Sequence, residues 1–90
     1  MSKLSQEYIQ DLLATAVVHT TTSQVPTPHV TAFVWLGTFL LGTAVSKAVD
    51  PENFSEELGI QYSTKDALAK AEDKLWELEG YNLYKTMQEK

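Results

Sequence analysis

Between Thr20 and Ser46 the chain carries no formally charged residue. A stretch like that must be buried, either in lipid or in a folded core. Lipid is excluded by its punctuation. Thr22, Ser23, Gln24, Pro26, Thr27, Pro28 and His29 break its first part. The remaining apolar window, Val30 to Val45, is close to the shortest length that spans a bilayer. It also contains Gly37, Gly42, Thr31, Thr38 and Thr43, and it is rich in β-branched and aromatic residues, which favour strands. His29 to Leu36 is therefore expected to be a strand. Phe39 to Val45 should return beside it through a tight turn at Gly37 and Thr38. A further strand is expected over Val17 to Val25, with Pro26 and Pro28 marking the loop that follows.

Side chains alternate across a strand, so Thr31, Phe33 and Trp35 share one face, and Val30, Ala32, Val34 and Leu36 share the other. Both faces of the hairpin are apolar. A lone antiparallel sheet usually keeps one face polar. Either a second chain covers the extra face, making the protein an oligomer, or the two terminal helices divide the faces between them.

The first of those helices is expected over Gln6 to Val17. Ser5 suits its N-cap, Leu4 and Ile9 the hydrophobic staple around the cap, and Ile9, Leu12, Leu13 and Ala16 fall on one face. After the hairpin, Asp50 and Pro51 read as cap and first residue of a short helix that Gly59 ends near Leu58 in a left-handed conformation. A long helix is expected from about Thr64, capped by Ser63 and Asp66. Leu68, Ala71, Leu75 and Leu78 form its packing stripe, and Gly80 marks a break or a close approach by another backbone. The fold class is α+β: a small antiparallel sheet, a β-hairpin plus a third strand, packed by an N-terminal helix and a long C-terminal helix. The chain of 90 residues is read as a single domain, 1–90.

Charge and cysteine content narrow the function classes. Met1 to Val49 sums to zero, while Asp50 to Lys90 holds five lysines against ten carboxylates and so the whole net charge of -5. An acidic chain without arginine is a poor coat for nucleic acid, which needs cations facing phosphates. The acidic half suits a solvated helix surface, a mimic of nucleic acid, or a dock for a basic partner. The chain has Cys 0, so there is no disulfide framework, thiolate zinc site or cysteine nucleophile. Ile9 to Val18 is interrupted by Gln10 and Asp11 and does not resemble a signal peptide, so the protein reads as soluble and not exported.

No catalytic constellation emerges. His19 and His29 lie ten apart without metal-ligand spacing. No serine sits in a Gly-x-Ser-x-Gly elbow. Glu56 with Glu57, and Glu72 with Asp73, point apart on helices. Gly37 and Gly42 space as hairpin glycines, not as a phosphate loop. No cofactor is expected. The aromatics offer more. Trp76, Tyr81 and Tyr84 lie close in sequence with Lys85 beside them, a set that suits core packing, an oligomer interface, or a site where a base stacks and a phosphate meets a cation.

Two stretches carry a resemblance. Asp50-Pro51-Glu52-Asn53-Phe54, followed by Glu57-Leu58-Gly59, and the later Lys74-Leu75-Trp76-Glu77-Leu78-Glu79-Gly80-Tyr81-Asn82-Leu83 resemble motifs of a family of small tailed-phage proteins. That family is named for the gene 49 product of phage N4 and the gene 66 product of phage Sf6. The hairpin and Gly42-Thr43-Ala44 before the Asp-Pro also fit it. The resemblance covers nearly the whole chain and implies a phage or prophage accessory protein in the host cytoplasm. Such proteins often counter host defence by sequestering a nucleotide signal or blocking a host protein. The expectation is a non-catalytic binding protein whose homo-oligomer holds a small nucleotide-type ligand, with Phe54, Trp76, Tyr81, Tyr84 and Lys85 as ligand- or partner-binding residues. The alternative is a protein–protein inhibitor of a host factor acting through the acidic C-terminal helix.

Overall fold

The uncharged stretch folds as strands, and everything else is arranged around them. The computed structural model describes residues 5–48 and 50–88. In chain order these form α1 (Gln6–Ala14), β1 (Val17–Ser23), β2 (His29–Leu36), β3 (Phe39–Lys47), a single 3-10 turn (Pro51–Asn53) and α2 (Glu56–Gln88). The sheet is antiparallel with order β1-β2-β3. Leu36 pairs with Phe39, leaving Gly37 and Thr38 as a two-residue turn, and Gly37 has φ +63. A positive φ at the first turn residue matches the strand twist, and glycine adopts it without a Cβ clash. A bulge opposite Val34 and Trp35 turns Leu41 into the core beside Gly42.

Helix α1 starts where its cap predicts: the Tyr8 amide donates to Ser5 Oγ at 3.2 Å. Leu4, the other half of the expected staple, lies outside the described residues. The helix stops at Ala14, short of the expected Val17. Thr15 donates through its hydroxyl to the Leu12 carbonyl at 2.8 Å, and Val17 is already paired with Trp35. A strand needed by the sheet has taken the last turn from the helix.

Both helices lie on the same face of the sheet, so they do not divide the two faces between them. Ile9 of α1 and Ala67, Ala71 and Leu75 of α2 close over Ala32, Val34, Leu41 and Ala44 in one core. Side chains such as Ile9 and Val34, fully removed from water, contribute about 1.5–3 kcal/mol each. The opposite face holds Phe33 and Trp35, both half-buried. With β1 and β3 in place it also presents Val17, Leu40 and Val45 among His19, Thr21, Thr43 and Lys47, so that face is mixed and not uniformly apolar.

The largest correction concerns α2. Two helices split at Gly59 were expected; a single helix of 33 residues is found. It begins after Ser55, whose Oγ accepts from the Leu58 amide at 3.3 Å. Gly59 is not a left-handed terminator but a buried position in the second turn. A Cβ there would come within 2.8 Å of Val30 Cγ2, so glycine is what lets the helix rest on Val30. Ser63 is not a cap either. It is buried mid-helix and donates its hydroxyl to the Ile60 carbonyl at 3.3 Å. Gly80 neither breaks the helix nor meets another backbone, since a Cβ there would have nothing within 4 Å. The buried stripe is Gly59, Ser63, Ala67, Ala71 and Leu75, while the expected Leu68 is half-buried and Leu78 is 37% exposed. Small residues every four positions bring the helix axis close to the sheet, and at Gly42 a Cβ would lie 2.7 Å from the Ala67 carbonyl oxygen.

A 33-residue helix is about 50 Å long, whereas the nine residues of β3 span about 31 Å. The last turns of α2 therefore run beyond the sheet, and the described chain measures 59 × 21 × 21 Å.

Candidate functional site

The joint between β3 and α2 is built by the first of the two sequence motifs. Asp50 accepts from the Glu52 amide at 3.1 Å and from Asn53 Nδ2 at 2.8 Å, and Pro51 opens the turn with the φ it needs. The Phe54 amide donates to the Pro51 carbonyl, which turns the chain into the Ser55 cap. Phe54 is half-buried, with its ring 3.6 Å from where a Cβ on Gly59 would stand. A cleft of about 140 Å³ opens beside it, lined by Lys47, Phe54, Leu58 and Tyr62 among others. Asp50, Pro51, Asn53, Phe54 and Gly59 of this motif are thus engaged in making the joint, and Phe54 packs at that joint while also facing the cleft.

The second motif divides into two parts. Leu75 is in the core and Trp76 is half-buried against it. Glu79 accepts the hydroxyl of Tyr8 at 3.1 Å, tying α1 to α2. That carboxylate holds the Tyr8 hydroxyl above the ordinary phenol range, because the hydrogen bond favours the protonated form and the nearby negative charge opposes ionisation. Gln6 and Gln10 donate to the two oxygens of Glu72 a little earlier on the same helix. Sequence reasoning missed these links, since partners more than sixty residues apart leave no local signature.

From Gly80 onward the fold makes no such use of the side chains. Tyr81 is 61% exposed and Tyr84 57%. Their rings stack with centroids 6.4 Å apart and planes at 26°, and Lys85 Nζ lies 5.8 Å from the Tyr81 centroid. This is the candidate site: two aromatic faces and a cation on the overhanging end of α2. Trp76 is not part of it. Five residues along a helix amount to a rotation of about 140°, so Trp76 turns to the core while Tyr81 turns to solvent. Phe54 is also elsewhere. Gly59, which it touches, and Tyr81 are 22 residues apart on α2, or about 33 Å. Of the five expected site residues, the structure brings together Tyr81, Tyr84 and Lys85. The amides at the start of α2, the end of a helix that suits a phosphate, lie at the far end with Phe54, and the Leu58 amide is taken by the Ser55 cap.

His19 and His29 both lie on the open sheet face, one strand apart and four rows apart, about 13 Å along the strand direction. They are too distant to share an ion. His29 Nδ1 is 2.7 Å from the Thr27 carbonyl oxygen. Among the described residues, no helix is long and apolar enough to cross a membrane.

With this arrangement in view, the chain was compared with known proteins. The sequence model described as "Phage protein (N4 Gp49/phage Sf6 gene 66) family" matches residues 4–87. The chain belongs to that family. The match takes in both motifs, the joint at Asp50 to Gly59 and the helical segment from Lys74 through Leu83, and its range also covers Tyr84 and Lys85 just beyond the second motif. No curated protein and no solved structure matched. The family assigns a phage protein; it assigns no ligand.

Proposed function

We propose that this phage protein is a non-catalytic accessory protein acting in the host cytoplasm against host defence, and that it works by sequestering a small nucleotide-type signal. The observation that carries the reading is the Tyr81, Tyr84 and Lys85 cluster. Two exposed aromatic faces with a cation over one of them form a stacking platform for a base with a partner for phosphate. Nothing in the chain's own packing uses these side chains, although the overhang they sit on costs helix entropy to keep ordered. The second cluster, at Phe54 and Lys47, stands about 33 Å away on the same chain, so a site that uses both is assembled from two subunits.

Calorimetry with a panel of cyclic and linear nucleotides tests the reading. Binding is expected for the unaltered protein. Tyr81→Ala should weaken it by about 1–3 kcal/mol, the worth of one stacked base. Absence of heat and of any thermal shift across the panel would remove the proposal.

A second reading, inhibition of a host protein through α2, is favoured by its unpaired acidity. Among the described residues the only ion pair on α2 joins Lys70 to Asp66 at 3.5 Å, which leaves Glu56, Glu57, Asp73 and Glu77 without a cation. Capture of a host protein by the acidic helix, weakening with added salt, would select that reading over the first.

A further inference from the structure

The strand β1 is an edge without protection. Its sequence is Val17-Val18-His19-Thr20-Thr21-Thr22-Ser23, mostly β-branched, with no lysine, carboxylate, proline or bulge. Edge strands that stay single usually carry one of those devices, because a row of unpaired N–H and C=O groups is a template for another strand. The opposite edge shows two of them: β3 has the bulge at Leu41 and ends in Lys47. On β1 both faces are open as well as the edge. Val17 is 54% exposed on one side and Val18 36% on the other, since α2 lies over β2 and β3 and barely reaches β1.

We infer that β1 is a self-association edge, whose occupant is the β1 strand of a second copy of this chain. Charge is what selects a second copy. Each copy carries -5, all of it net from residues 50–90: -3 on α2, and -2 from Asp50 and Glu52 at the turn that leads into it. Two copies repel through any approach that brings their α2 helices together. The β1 edge is neutral and lies on the side away from α2, so it is where like-charged copies meet at least cost. An antiparallel two-fold pairing centred on Thr20 places His19 opposite Thr21, Val18 opposite Thr22 and Val17 opposite Ser23 of the second copy. No charge meets its like, and β-branched side chains face each other on both surfaces. The product is a six-stranded sheet with the acidic helices at its two outer flanks. This pairing shares with the proposed function only the association of copies and needs no ligand.

Light scattering and a designed cross-link test it. The unaltered chain of 10.1 kDa is expected to run at a multiple of that mass at micromolar concentration. Thr20→Lys, at an exposed position, should reduce that mass at least twofold while the circular dichroism is kept, because it sets two ammonium groups face to face at the two-fold axis. Thr20→Cys places two thiols on opposed residues whose Cα atoms are about 4.5–5.5 Å apart in an antiparallel pair, within disulfide range. With oxidised glutathione as the oxidant it should form a covalent dimer faster than Thr38→Cys at the hairpin turn. A monomeric unaltered chain would overturn the inference. So would a mass unchanged by Thr20→Lys, or equal cross-linking at the two positions. If Thr20→Lys fails to fold, the cross-linking comparison decides alone. Nucleotide calorimetry is read separately, so an edge dimer that binds no nucleotide removes the proposed function and leaves this inference standing.

Discussion

A methyl group at Gly42 is the smallest perturbation that tests how close α2 lies to the sheet. The added Cβ would stand 2.7 Å from the Ala67 carbonyl oxygen, 2.9 Å from the Ala71 amide nitrogen and 3.3 Å from Ala71 Cα. All three are backbone atoms of a helix and none rotates away. Ordinary contact needs about 3.5 Å or more, so α2 must retreat by roughly 1 Å or the strand must bend. A gap of that size costs the neighbouring core contacts a quarter to a half of their dispersion energy. Overpacking of this kind destabilises by about 1–3 kcal/mol, and the lower entropy of alanine in the unfolded chain returns about 0.4–1 kcal/mol. The net expectation for Gly42→Ala is a loss of about 1–2 kcal/mol. For a domain of this size that is a fall in Tm on the order of 5–15 °C. Urea titration followed by far-ultraviolet circular dichroism reads it directly, with the midpoint moving and the slope unchanged. A Gly42→Ala protein as stable as the parent would refute the close approach, and with it the account of why small residues line α2.

Other substitutions should separate along the same logic. Gly80→Ala, with open space around the new methyl, should stabilise the protein by about 1 kcal/mol, read in the same titration; a loss would mean that another backbone approaches there. Ser55→Ala removes the cap of α2 and should cost about 1 kcal/mol, checked against Thr86→Ala on the overhang as a control expected to be near neutral. The Tyr8 hydroxyl has its pKa raised in the folded state, so the stability it adds is fully present below about pH 10, the unfolded value, and is lost as pH rises through the folded value. Unfolding followed from pH 9 to pH 11 should therefore show a steeper fall for the parent than for Tyr8→Phe, and parallel curves would contradict the Glu79 pairing.

Local chemistry accounts for the parts of this fold that were legible in advance. Alternation and Gly37 define β2 and its turn to β3, and Ser5 and Asp50 mark their caps, because each of these signals acts within a few residues. The same local reading failed at Gly59, Ser63 and Gly80. Glycine and serine inside a helix look like stops when only propensity is weighed. At Gly59 the cost of about 1 kcal/mol is offset by contact with Val30, which is distant in sequence. The candidate site was half legible. Aromatic and lysine types placed Tyr81, Tyr84 and Lys85 together, but which aromatics turn outward depends on where the sheet ends, and that removed Trp76 from the cluster.

By itself, then, the amino-acid order settled that an uncharged middle segment forms strands between two helices, since alternation and capping are properties of neighbouring residues. It also settled that the net negative charge comes from the second half. Only the tertiary structure decided that both helices share one face, that α2 runs unbroken past the sheet, and that β1 is left open on its edge and both sides. Those outcomes turn on which surfaces fit closely enough to exclude water, and a fit between Gly42 and Ala67, or Gly59 and Val30, exists only once the strands and the helix are side by side.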